Sequence, residues 1–205
     1  RSGSMQSLWV EALSSVNAFA KELANKTGGP TVDSHISLAI FDSQESLQFD
    51  VLRRKQPALH WENVTDKEAS PRGMTPLLDA MVRIISLAEG DNPDKAVIVV
   101  MTDGQENASR EVTRDGVKAA LDRVKAKGWE VVFLGANFDN ISDAQSVGVA
   151  GGQQMAMSAG TMNESMARLA RKSRAYAQAA PGAAPIAFDA EDRAAAKEAN
   201  VKNKT

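Results

Sequence analysis

Two uninterrupted apolar runs constrain this chain more than anything else in it. Lys95-Ala-Val-Ile-Val-Val-Met101 and Trp129-Glu-Val-Val-Phe-Leu134 each have the length of a strand, and neither alternates with polar residues. Strands of that kind are buried on both faces, as in parallel sheets covered by helices on either side. Between the two runs, the stretch from Arg110 to Lys127 repeats apolar residues at helical spacing and closes at Gly128. Strand, helix and strand in that order make a crossover unit joining parallel neighbours.

The rest of the chain extends this reading. From Met5 to Lys26, Trp9, Leu13, Val16, Ala20 and Leu23 recur at helical spacing, and Thr27-Gly28-Gly29-Pro30 is a stop signal. His35–Phe41 reads as a strand, and Leu47, Phe49 and Val51 alternate as a second one, with a turn at Asp42–Glu45 making a hairpin. Gln56–Gly73 is polar and irregular and reads as a loop pinned by Trp61. Thr75-Pro76 has the residues of a helix start, and Gly90-Asp91-Asn92-Pro93 those of its end. A short helix near Ile141–Val147, a weak strand near Gln153–Met157 and a long helix over Met162–Ala179 follow. The basic outer face of that last helix (Arg168, Arg171, Lys172, Arg174) reads as solvated surface.

This order predicts an α/β fold: a Rossmann-like, doubly wound, mostly parallel sheet with helices on both faces and one antiparallel edge strand. Residues 1–180 form the expected domain, and 181–205 a linker and tail. In the tail, Ile186 and Phe188 could anchor a segment to the domain, and Asp189 could cap a short docked helix.

Composition removes several function classes. The net charge of −2 gives no reason to expect nucleic acid or an anionic membrane as partner. With no cysteine, disulfides, thiolate metal sites and thiol catalysis are excluded, and the chain fits a reducing, cytoplasmic compartment. No apolar run approaches the roughly 18 residues of a membrane span. His35 and His60 read as satisfied or solvated. Met155, Met157, Met162 and Met166 read as core filler or a pliable apolar surface.

In sheets of this kind the ligand site lies beyond the carboxyl ends of the strands. Asp103, in Met101-Thr102-Asp103-Gly104-Gln105-Glu106-Asn107, stands at the end of a buried run, either as simple turn chemistry or as a carboxylate at the rim. Thr75 is either a helix cap or a hydroxyl on the same edge. Ser2 and Ser4 in Arg1-Ser2-Gly3-Ser4-Met5 resemble an expression scar, or a pair of ligands ahead of a helix. Three hydroxyls and a carboxylate on one rim would form a set of hard oxygen donors suited to Mg²⁺ or Mn²⁺.

Taken together, these segments resemble a von Willebrand factor type A domain with a metal-ion-dependent adhesion site. The family pattern is Asp-x-Ser-x-Ser after the first strand, a Thr in a following loop, and an Asp in a Thr-Asp-Gly stretch after the fourth strand. Ser2-Gly3-Ser4, Gly73-Met74-Thr75-Pro76-Leu77 and Thr102-Asp103-Gly104 match in order. Glu106-Asn107 and Phe133-Leu134-Gly135-Ala136 are similar to bacterial and phage members. The resemblance implies a binding module, not an enzyme: Ser2, Ser4, Thr75 and Asp103 hold Mg²⁺ or Mn²⁺, which accepts an Asp or Glu from a protein partner. Met74, Gln105 and Glu106 would border that face.

The same resemblance implies a central first strand, ending in the pattern's first aspartate, between His35–Phe41 and Lys95–Met101. This sequence has neither. About ten ladder bonds at a net ~0.5–1.5 kcal/mol each rival the ~5–15 kcal/mol stability of a domain. The expectation is therefore that the sequence is a piece of a longer one or that another segment takes the strand's position, with metal affinity weakened by the absent Asp. Two readings compete with the binding module. One is a phosphotransfer or nucleotide-binding enzyme on a similar sheet, using Asp42 and Asp103, although no glycine-rich phosphate loop or nucleophile elbow is present. The other is a scaffold whose metal site has decayed.

Overall fold

The computed structural model describes residues 1–25, 32–136 and 138–201. It is an α/β fold in two sheets. β1 (His35–Gln44) and β2 (Ser46–Pro57) form an antiparallel hairpin turning at Glu45, a non-glycine residue at φ 75°. β3 (Val97–Thr102), β4 (Glu130–Gly135) and β5 (Gln154–Ala156) form a parallel sheet in that order. The expected loop at 56–73 begins later than its composition suggests, because β2 runs on to Pro57 and a single 3-10 turn follows at Ala58–His60. Trp61 does pin what remains, donating to Asn17 Oδ1 at 3.0 Å.

Among the described residues six helices accompany the sheets: α1 (Trp9–Leu23), α2 (Leu77–Asp91), α3 (Arg114–Ala126), α4 (Phe138–Ser146), α5 (Met162–Gln178) and α6 (Ala190–Ala195). α1 and α5 bury Trp9, Leu13, Met166 and Leu169 against Val132, Leu134 and Met155 on one face. α2 and α3 bury Met81, Ile85, Leu121 and Val124 against Ile98, Val100 and Phe133 on the other. The period of two along β4 thus sends alternate residues into two different layers. All four methionines from Met155 to Met166 are core residues. The stop signal at 27–30 lies outside the described residues, and α1 ends at Leu23.

The two sheets share both layers without being hydrogen-bonded to each other. Leu38 and Ile40 of β1 join Val97, Val99 and Met101 of β3 in one cluster, and Phe41 joins Ile98 and Val100 in the other. Yet among the described residues β1 pairs only with β2, and β3 only with β4, apart from an isolated bridge between Ser43 and Met74. Among the described residues no strand runs along the facing edges of β1 and β3. This changes one expectation: β3 is fully buried only at Ile98, Val100 and Thr102, while Val97, Val99 and Met101 are half-buried. β4, paired on both sides, is buried throughout.

The tail docks. Phe188 N donates to Gly152 O at 2.7 Å, and Ile186 and Phe188 are buried. Asp189 caps α6 in a reciprocal box with Asp192. The basic face of α5 is paired rather than bare: Arg168 and Lys172 meet Asp192, and Lys172 also meets Asp189. No helix among the described residues is long and apolar enough to cross a membrane.

Candidate functional site

The carboxyl ends of β1 and β3 and the first turn of the chain meet at one rim. Ser2 precedes a 3-10 helix, Gly3–Ser7, whose tight turn brings the Ser2 and Ser4 hydroxyls within 2.9 Å of each other. Ser4 Oγ donates to Asp103 Oδ1 at 2.7 Å, across 99 residues of sequence. Asp103 is buried directly beyond the last residue of β3. The turn there is made by its neighbour: Thr102 Oγ1 accepts from Gly104 N at 3.1 Å and donates to Gly104 O. Thr102 therefore carries the turn chemistry, and the Asp103 carboxylate is bonded to Ser4.

Thr75 is not the helix cap its sequence suggests. The N-cap of α2 is Pro76, with no side-chain capping bond. The exposed amides of the first turn are satisfied from another loop, with Glu106 Oε2 accepting from Leu78 N and Ser109 Oγ from Asp79 N. Thr75 itself is 2 % exposed, and Asn107 clamps its backbone from both sides: Asn107 Oδ1 accepts Thr75 N at 2.9 Å, and Asn107 N donates to Thr75 O at 3.2 Å.

Gly104 reveals where the hydroxyls converge. A Cβ on Gly104 would stand 2.2 Å from Thr75 Oγ1, 2.9 Å from Ser4 Oγ and 3.1 Å from Ser2 Oγ. Three oxygens from two distant segments thus face one point beside a residue without a side chain, with the Asp103 carboxylate bonded to one of them. Among the described residues no group of three or more His, Cys, Asp or Glu could hold a metal. The donor set at this rim is of another kind, three neutral hydroxyls and one carboxylate, which is the chemistry that hard, six-coordinate cations accept alongside water. The residues present fit Mg²⁺ or Mn²⁺.

The three rim residues expected to border the site differ in posture. Met74 is 52 % exposed and Gln105 is exposed. Glu106 faces inward, its two oxygens accepting from Leu78 N, Ala108 N, Ser109 N and Ser109 Oγ. Two further carboxylates organise the same rim. Asp79, buried on α2, accepts from Arg110, Glu111 and Val112 backbone amides and so fixes the loop after Glu106. Its signal in the sequence was an acid set within the apolar run Leu77-Leu78-Asp79-Ala80-Met81. Asp42, at 0 % exposure, pairs with Arg1 and Arg72. Beside it, the Arg1 backbone nitrogen donates to Phe41 O at 2.9 Å.

Comparison with family models, with curated proteins and with solved structures finds no match for this chain.

Proposed function

We propose that this chain is a divalent-metal-dependent protein-binding module of the von Willebrand factor A type. The observation that carries the reading is the convergence of Ser2, Ser4 and Thr75 hydroxyls beside Gly104, with Asp103 bonded to Ser4. Ser2, Ser4, Thr75 and Asp103 hold Mg²⁺ or Mn²⁺ in this reading. With a single carboxylate in the set, the bound cation remains electrophilic and takes an Asp or Glu side chain from a partner protein. The chain's own part is to keep the hydroxyls oriented, which Asn107 does for Thr75 and the 3-10 turn does for the serines. Met74, apolar and half-exposed beside Thr75, favours a partner acid flanked by an apolar residue.

Against a phosphotransfer enzyme stands the state of Asp42. A phosphoacceptor carboxylate must be reachable, whereas Asp42 is enclosed and neutralised by two guanidinium groups. Neither histidine supports acid–base chemistry at the rim, since His35 opens β1 at the end opposite Asp42 and His60 sits in the turn after β2.

Titration with Mn²⁺, followed by calorimetry and by the Mn²⁺ electron spin resonance signal, tests the reading. The expected result is one saturable site, competed by Mg²⁺ and lost in Asp103→Ala. Absence of binding by the unmodified chain, or binding unchanged in Asp103→Ala, overturns it. Phosphorylation of Asp42 or Asp103 by acetyl phosphate, read by intact mass, would favour the enzyme instead.

A further inference from the structure

Asp42 lies outside the donor set, yet it touches the two segments that carry the hydroxyls. Its Oδ1 accepts from Arg1 Nε at 2.7 Å and its Oδ2 from Arg72 Nε at 3.0 Å. Arg1 adjoins Ser2, and Arg72 stands three residues before Thr75. The two segments also bond directly, Arg72 N to Arg1 O at 2.7 Å and Gly3 N to Gly73 O at 3.0 Å. The end of β1 joins them through Ser43 and Met74, which exchange both backbone hydrogen bonds at 3.0 Å.

Gly73 shows how closely this assembly is drawn together. It lies at φ +67°, and a Cβ there would stand 2.3 Å from Ser43 O and 3.0 Å from Asp42 Oδ2. A side chain at 73 would therefore push the Thr75 segment off the end of β1. Asp42 is wholly enclosed, the Arg1 side chain nearly so, and the Arg72 side chain is half-exposed. A carboxylate enclosed in this way, with a guanidinium on each of its oxygens, holds both partners in one geometry.

We propose that Asp42 is the positioning residue of the rim: its carboxylate, gripping Arg1 and Arg72 at once, sets the separation between Ser2/Ser4 and Thr75. Its consequence for metal rests on the binding-module reading above; the clamp itself does not. The role is one of spacing, so a neutral isostere that keeps the volume of Asp42 releases the two segments while leaving every donor oxygen in the chain.

The experiment has one arm that needs no metal and one that does. Amide hydrogen exchange of Gly3 and Met74 is compared between the unmodified chain and Asp42→Asn, with Val124→Ala in α3 as a control that loosens the core away from the rim. The expected result is at least tenfold faster exchange at Gly3 and Met74 in Asp42→Asn, beyond any change at α3 amides, and no such local effect in Val124→Ala. Arg72→Gln, which removes only the half-exposed arm, gives a smaller acceleration at the same two amides and serves if Asp42→Asn does not fold. In the second arm, Mn²⁺ affinity falls at least tenfold in Asp42→Asn, and the number of water molecules on bound Mn²⁺, read by proton relaxation, rises. Exchange at Gly3 and Met74 that only follows global stability in both rim variants overturns the clamp. Mn²⁺ binding with unchanged affinity and water number in Asp42→Asn overturns the positioning role. If the unmodified chain takes up no Mn²⁺, the metal reading fails, and the exchange arm still decides the clamp.

Discussion

Thr75 and Gly104 approach so closely that a Cβ on Gly104 would stand 2.2 Å from the Thr75 hydroxyl. The same Cβ would crowd the hydroxyls of Ser4 and Ser2, so one methyl group would occupy the point on which all three converge. Mg²⁺ and Mn²⁺ bind oxygens at roughly 2.0–2.2 Å and tolerate little displacement of their ligands. Gly104→Ala is therefore expected to lower Mn²⁺ affinity at least tenfold, measured by calorimetry, while far-ultraviolet circular dichroism remains unchanged. Undiminished affinity in this variant would mean that the hydroxyls serve something other than a cation.

Glu106 gives a prediction of opposite character. Its carboxylate accepts two amides of its own loop, the first-turn amide of Leu78 and the Ser109 hydroxyl. Removing such an acceptor leaves part-buried donors without partners, at about 1–3 kcal/mol. Glu106→Ala should lower stability by about that amount in urea unfolding. Gln105→Ala, exposed next door, should leave stability within about 0.5 kcal/mol of the unmodified chain. If the two variants unfold alike, Glu106 is not the cap of α2.

Much of this architecture was legible in the sequence, and the places where it was not have physical causes. The two apolar runs became β3 and β4 because a strand in a covered parallel sheet has no wet face to encode. Thr75 misled because Thr-Pro has the local chemistry of a cap, whereas the capping groups arrive from Glu106 and Ser109, some 30 residues away. Asp42 and Asp79 were opaque for the same reason: their partners lie at Arg1, Arg72 and residues 110–112, and no local pattern announces a long-range bond. Ser2 and Ser4 could be read only beside Thr75 and Asp103, since a Ser-Gly-Ser stretch alone carries no chemistry.

The facing edges of β1 and β3 lead to the last prediction. Both strands feed the same two apolar layers, yet no ladder joins them, and the β3 residues on the α1/α5 side stay half-buried. An extended segment between them would pair on both edges and complete the burial of Val97, Val99 and Met101. The Arg1 backbone nitrogen, bonded to Phe41 O, stands at the end of that interval beside the rim. A chain lengthened ahead of Arg1 by five or six β-branched residues and a final Asp is therefore designed to lay a parallel strand there and bring a second carboxylate to Ser2 and Ser4. It should unfold at a higher temperature than the unextended chain and bind Mn²⁺ more tightly. The same extension ending in Asn separates the two effects, since the strand raises the melting temperature in either version, whereas the gain in metal affinity needs the carboxylate. A melting temperature no higher with either extension would show that the interval between β1 and β3 does not accept a strand.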